Sequence, residues 1–236
     1  MKRTLIDFFN RESARYEQFA SRRDFVITLR EKVVPLLKGR VLDVGSGSIS
    51  DFRDGAFDHY LAMDISTGML KRFKRERRFE PVCGDALALP FRAESFDVLI
   101  YRSVLHHLNP EGTKKKKMEE RLLQALSEAR RVLKGNGKVL VIEPCFSPFL
   151  ETVENLLAPF IRWGMRHLGV PYVFLFSAGG LSAFLKKGGL ENIRLIPIRG
   201  GGKGSGWIIP ILGLPFFKIP KRFSPSRVHL IEGSKE

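Results

Sequence analysis

Cysteine is scarce in this sequence. Cys83 and Cys145 are the only two in 236 residues, and neither has a second cysteine or a histidine at metal-ligand spacing. A disulfide framework and a zinc site are both excluded, and a reduced, cytoplasmic setting fits that usage. Acids are outnumbered too, with Asp+Glu 25 against Lys+Arg 40 and a formal net charge of +15. Long apolar runs are missing. The longest uncharged stretch, residues 168–185, carries Pro171, Ser177, Gly179, Gly180 and Ser182. It suits a strand or loop followed by a helix and not a transmembrane segment. Residues 207–217 are apolar but broken by Pro210 and Pro215, and Asp7 interrupts the apolar start of the chain before a secretory leader could form. No internal repeat is visible. What is left is an ordinary globular composition, 44% hydrophobic, that excludes a disordered chain and suits one domain with small appendages.

Residues 5–20 place Leu5, Phe8, Phe9, Tyr16, Phe19 and Ala20 at helical spacing. A second helix is expected over 22–38, weakened at Pro35 and stopped at Gly39. Strands and helices then alternate. Short apolar strands are expected at 41–44, 60–63, 81–83, 96–101 and 138–143, with helices over 66–78, capped by Ser66, and 115–134. Further on come a helix over 149–168 broken at Pro159, a helix over 179–187 capped by Ser177, and strands at 191–198 and 228–231 around the glycine-rich 200–206. The alternation predicts an α/β chain with a doubly wound, mostly parallel sheet, whose ligands bind beyond the carboxyl ends of the strands.

The sharpest motif is Val41-Leu42-Asp43-Val44-Gly45-Ser46-Gly47-Ser48, a strand delivered into a glycine turn. A dinucleotide fingerprint would continue to a third glycine, but that position is Ser50. Asp43, two residues before the first glycine, would repel a pyrophosphate and suits a cationic or amine ligand. Asp64 ends the next strand, where an acid can accept both hydroxyls of a ribose. Gly84-Asp85-Ala86 follows the third strand and offers a carboxylate and an N–H to the edge of an adenine. The fourth strand runs through Tyr101 and Ser103 into the pair His106-His107.

These segments, VLDVGSGS, YLAMDIS, PVCGDALALPF, SFDVLIYRSVLHHL and LSEARRVLKGNGKVLVIEP, resemble in order and spacing the class I S-adenosylmethionine-dependent methyltransferases, in particular their type 11 domain family. The resemblance implies a Rossmann-like fold. It divides the chain into an N-terminal helical cap (1–38), a cofactor-binding core (39–145) and a C-terminal substrate or lid region (146–236) completing the same domain. It implies S-adenosyl-L-methionine as cofactor. Gly45, Ser46 and Gly47 would pass beneath its methionine part and Asp43 would take its amino group, directly or through water. Asp64 would hold the ribose, with Ile65 and Met69 beside the adenine and Asp85 and Ala86 at the adenine edge. Tyr101 and Ser103 would lie near the sulfonium, and Tyr16, with Arg22 and Arg23, would cap the pocket. His106 or His107 is the candidate general base, one of the two being structural. The usual third glycine is Ile49, and the short interval from Gly47 to Asp64 predicts a loop or shortened helix there.

The acceptor is open between two classes. The aromatic C-terminal region, from Phe146 through Trp163 and Phe176 to Trp207 and Phe217, favours a small hydrophobic or lipid-like molecule, with peripheral membrane contact. The net charge, concentrated in 71–78 and 114–117, fits a wobble-uridine transfer RNA, an anionic membrane or a solvated surface. A cofactor- or partner-binding protein without transferase activity is the third reading.

Overall fold

The computed structural model describes residues 5–11, 13, 23–48, 52, 54–73, 77–108, 115–167, 172–198 and 226–236. Seven strands make one sheet in the order β3-β2-β1-β4-β5-β7-β6. β1 (Lys38–Val44), β2 (Ala56–Asp64), β3 (Phe79–Cys83), β4 (Phe96–Arg102) and β5 (Leu133–Phe146) are parallel to one another. β7 (Ser226–Ser234) runs antiparallel between β5 and β6 (Glu191–Pro197). Five helices are α1 (Arg23–Val33), α2 (Thr67–Arg72), α3 (Lys115–Val132), α4 (Pro148–His167) and α5 (Ala178–Lys187), and residues 5–11 are helical as well. The doubly wound α/β fold is as expected.

The period of two along each strand sends alternate residues into two cores. Val44, Leu99, Tyr101 and Val141 face Leu122, Leu126 and Ala129 of α3 and Leu181 and Leu185 of α5. Val41, Ile100, Leu140 and Ile142 face Leu29 and Val33 of α1. With both faces covered, the central strands are mostly apolar, Asp43 and Glu143 being buried exceptions.

Several boundaries shift from the sequence expectation. α1 stops at Val33, Pro35 lies in a 3-10 turn, and β1 starts at Lys38. Gly39 therefore sits inside the strand at φ 63°, where an added Cβ would strike the Asp97 carboxylate. That carboxylate accepts a hydrogen bond from the Arg40 N–H at 2.8 Å. α2 ends at Arg72, six residues early, although Ser66 caps it as expected through the Met69 N–H at 3.1 Å. α4 runs unbroken through Pro159. Among the described residues no helix joins β1 to β2. The fully buried Phe52 fills that space, with the Arg102 guanidinium 5.6 Å over its ring. Tyr16, Ile49, Lys74 and the stretch 199–225 lie outside the described residues.

α4 and residues 172–177 form an insertion between β5 and α5. The insertion is tied to the sheet by Phe146 N–H to Phe176 O at 3.0 Å and by Phe174 N–H to His106 O at 3.4 Å. The acids of α4 hold it from above, Glu151 accepting from the Ser177 N–H at 2.9 Å and Glu154 from the Leu175 N–H at 3.2 Å. Burial pushes the Glu154 carboxyl up to about 8, against the pull of the Leu175 N–H and with help from the Glu151 charge. A carboxyl raised on folding stabilises the protein fully below its unfolded value, and that contribution is lost as pH rises through the folded value. The melting temperature should therefore fall between pH 5 and pH 9 by something on the order of 5 °C. Glu154→Gln should flatten that fall in differential scanning fluorimetry; an equally steep fall in the variant would show that Glu154 is not its source.

Candidate active site

Parallel pairing brings the carboxyl ends of β1 to β5 to one edge of the sheet, where a ligand cleft is expected between the loops that leave them. The first loop is folded back by Gly45 and Ser46, whose N–H groups both donate to Met63 O, at 2.7 and 3.0 Å. Gly45 and Gly47 adopt φ 71° and 67°, left-handed values open to glycine. A Cβ at Gly45 would run into the side chain of Val104. A Cβ at Gly47 would meet nothing within 4 Å, so its bare backbone borders open space. That is the cradle a flat, backbone-hugging ligand needs, and the residues fit the methionine part of the expected cofactor.

Asp64 closes the next side. One oxygen accepts from the Gly47 N–H at 3.0 Å and the other from the Ser66 N–H at 2.8 Å. The carboxylate thus couples the glycine loop to the start of α2. Burial raises its carboxyl above the usual range, and the N–H donors of Ser66, Gly47 and Ile65 oppose that rise. Ile65 beside it is half-buried, and Met69 is buried at 3% exposure. Asp85 closes a turn, taking the Leu87 N–H on its side chain at 3.0 Å and the Ala88 N–H on its carbonyl at 3.0 Å. Asp85 and Ala86 are half-buried at the same edge.

Two expected contacts move inward. Asp43 is fully buried, and its carboxylate accepts from the Tyr60 hydroxyl at 2.6 Å. Tyr101 has no exposed surface either. Its register with Val44 and Val141 aims it at α3, where its hydroxyl donates to Ala125 O at 3.0 Å. Burial, then the charge of Glu128, keeps the phenol protonated. Tyr101 is a core residue, and the expectation that it lies beside a sulfonium is corrected. Ser103, two residues on, is exposed and held at φ 55°, a conformation a serine adopts only where its surroundings impose it.

The organising group on this side is Glu143, 2% exposed near the end of β5. One oxygen accepts from the Val104 and Leu105 N–H groups, both at 2.7 Å. The other meets His106 Nδ1 at 2.5 Å. A carboxylate oxygen accepts, so the Nδ1–H is the ring donor suited to this contact, and Nε2 is the nitrogen directed elsewhere. The two histidines are thereby distinguished. His107 packs edge-on against Phe9 with centroids 5.1 Å apart, and burial, then the neighbouring His106, holds it neutral well below its ordinary value. His107 is thus packed into the protein, whereas the His106 ring meets the Glu143 carboxylate.

Sequence reasoning passed over Asn10. Its side-chain oxygen accepts from the Ser66 hydroxyl at 2.7 Å and the Gly68 N–H at 2.8 Å. With Phe9 on His107, the helix of residues 5–11 spans from the Asp64 side to the His106 side. Its signal was a polar residue directly after the aromatic pair Phe8-Phe9. The basic residues divide. Lys115, Lys116 and Lys117 are exposed at the start of α3, beyond the His106 turn. Arg78 bonds Phe57 O at 3.3 Å and stacks 5.1 Å over the Phe57 ring, at the opposite edge of the sheet. Among the described residues there is no metal-binding cluster, and no helix is long and apolar enough to cross a membrane.

Residues 42–141 match the family model described as a methyltransferase domain. A demethylmenaquinone methyltransferase of Renibacterium salmoninarum is 40% identical over 153 residues, covering 61% of this chain and 60% of that protein. An uncharacterized protein of Methanocaldococcus jannaschii is 35% identical over 102 residues, 43% of this chain and 39% of that one. A tRNA (carboxymethyluridine(34)-5-O)-methyltransferase of Xenopus tropicalis is 43% identical over 67 residues, 28% of this chain and 9% of that one. The chain thus spans less than two thirds of the length of these relatives. In the complex between the Haloferax volcanii Trm112 methyltransferase activator and a methyltransferase, one chain shares the fold, with a TM-score of 0.70 at 17% identity over 97% of this chain and 96% of that one.

Asp64→Asn should place a donor against the Gly47 or Ser66 N–H and weaken S-adenosylmethionine binding by about tenfold to a hundredfold. Tyr101→Phe should leave that binding unchanged and lower unfolding stability by about 1 kcal/mol, the net worth of one buried hydrogen bond. Titration calorimetry and urea unfolding read the two; weaker binding in the Tyr101 variant would return that residue to the site.

Proposed function

We propose, on the premise that this chain carries a class I S-adenosylmethionine-dependent methyltransferase domain, that it moves a methyl group to a small, hydrophobic, lipid-like acceptor. The observation that carries the acceptor class is the roof of the cleft. It consists of α4 over residues 172–177, where Tyr172, Phe174 and Phe176 are buried, Phe174 N–H donates to His106 O and Phe176 O accepts from the Phe146 N–H at the end of β5. Apolar, aromatic packing next to the His106 turn favours a ring or a chain over a folded polyanion. The match to a demethylmenaquinone methyltransferase over 61% of this chain supports the same class.

When bound, the cofactor supplies an electrophilic methyl carbon on a cationic sulfur. The chain's part is to position it and to manage a proton. The glycine loop and Asp64 orient the donor, and restricting the approach to one line supplies much of the acceleration. An acceptor carbon or hydroxyl that takes a methyl group must shed a proton. His106 Nε2 accepts it, while Glu143, bonded to Nδ1, balances the imidazolium that forms. Glu143 touches no substrate and is a positioning residue.

The alternative is a wobble-uridine transfer RNA, favoured by Lys115–Lys117 beside the His106 turn and by the match over 28% of the chain to a tRNA methyltransferase. Cofactor or partner binding without transfer is the remaining reading. Incubation with labelled cofactor and separate quinone-containing lipid, tRNA and protein fractions decides among them. Label should enter the lipid fraction; label only in tRNA would replace the reading with the alternative, and no transfer despite cofactor binding would leave the third. In the active fraction, His106→Ala should lower kcat by about 10²-fold to 10⁴-fold with cofactor affinity unchanged. An equal loss in cofactor affinity would assign His106 to binding and not to proton transfer.

A further inference from the structure

The outward face of α4 is unusual for a helix on a globular protein. Phe149, Leu156, Phe160 and Trp163 are 75%, 77%, 74% and 67% exposed, and Leu157 beside them is 44% exposed. Their spacing of seven, four and three places them on one stripe, about 21 Å long at 1.5 Å per residue. Isolated exposed apolar residues need no explanation, but a continuous aromatic stripe marks a contact surface. Charge is sorted across the same helix. Glu151 and Glu154 point inward, onto the N–H groups of Ser177 and Leu175. No acid is among the exposed residues of α4, whereas Arg166 and His167 are exposed at its end. The cations Lys115, Lys116 and Lys117 lie beyond the same edge of the sheet, in a chain of net charge +15.

From these observations we propose that the outer face of α4 docks on an anionic lipid bilayer, with Phe149, Leu156, Phe160 and Trp163 entering the headgroup boundary. Large aromatic and aliphatic residues on one face, with Arg166 and His167 exposed at the end of the helix and its acids turned away, match what such a surface selects. The placement gives the contact a purpose. The inner side of α4 roofs the cleft through residues 172–177, so a helix lying on the bilayer holds the site one helix diameter from the lipid. This inference rests on the proposed lipid-like acceptor and extends it to where the acceptor is met. A nucleic-acid surface fits less well, because the centre of the stripe carries no cation to meet a phosphate.

The test is flotation of the full chain with phosphatidylcholine vesicles, with and without one third phosphatidylglycerol, in the absence of cofactor and acceptor. Trp207→Phe leaves Trp163 as the only tryptophan and serves as the reporter background. Binding should need phosphatidylglycerol and weaken with salt, and Trp163 emission should shift to the blue and be quenched by brominated lipid. Phe160→Glu should lower vesicle affinity by at least about tenfold with the unfolding midpoint unchanged, since the residue is exposed. Phe160→Ser serves if the charged variant does not fold. Four outcomes overturn the proposal: wild-type affinity in both variants, Trp163 shielded from iodide in a vesicle-free monomer, a dimer that Phe160→Glu dissociates, or binding to RNA but not to vesicles. Transfer to a water-soluble quinone analogue by a chain that ignores vesicles would sink the docking alone. Vesicle binding without methyl transfer to any lipid would sink the acceptor reading alone.

Discussion

The arrangement of the cleft depends on one buried carboxylate. Glu143 takes two backbone N–H groups and an imidazole nitrogen from three consecutive residues. Charge-assisted bonds of this kind are the stronger ones, and removing the acceptor would leave two buried donors unsatisfied. The consequences spread outward from that turn. With Val104 fixed by its N–H, its side chain lies where a Cβ on Gly45 would be. The glycine loop is therefore shaped from the β4 side by Val104 and from the β2 side by Asp64. His106 gains its tautomer from the same carboxylate, and its carbonyl takes the Phe174 N–H of the roof. Glycine loop, His106 and roof all refer to the end of β5.

Asp64 plays the matching part across the cleft. Its two oxygens bind the glycine loop and the start of α2, and the Ser66 that follows passes the contact to Asn10. Both halves use a carboxylate to collect backbone donors from loops that parallel strands deliver to one edge. This is the physical reason that the site residues are acids in a strongly basic chain. Cations would compete with the N–H groups for the same acceptors and would repel a sulfonium. Around β3 the positive charge sits at the far edge instead, where Arg78 stacks on Phe57.

The sheet was legible because its central strands are buried on both faces and so read as apolar runs. Boundaries were less so. β2 begins at Ala56, although Asp58 and His59 are exposed, because pairing with β1 extends beyond the apolar stretch. The first crossover read correctly as lacking a long helix, yet nothing in its composition announced Phe52 as its plug. Tyr101 was misplaced by analogy when the strand's own alternation placed it correctly. Leu99 and Tyr101 share a face, and that face meets α3. Glu143 reads only as the end of the strand expected at 138–143, because the N–H groups that it caps lie 38 and 39 residues away. Asn10 escaped because its contact reaches 56 residues along the chain, a separation no local pattern encodes.

α4 shows why amphipathicity alone did not fix its role. Its sequence places aromatics and acids at helical spacing, and the ordinary expectation would bury the aromatics and expose the acids. The structure does the reverse. Glu151 and Glu154 are drawn inward because residues 172–177 pass beneath the helix as an irregular segment, whose N–H groups lack strand or helix partners. A carboxyl oxygen is the acceptor that can meet them from a neighbouring helix, and the cost of burying the charged form of Glu154 appears in its carboxyl raised to about 8. Once the inner face is committed to holding that segment, the aromatic stripe has no interior left to enter. The exposed apolar face is thus coupled to the construction of the roof, and the same hydrogen bonds that close the cleft turn the stripe outward.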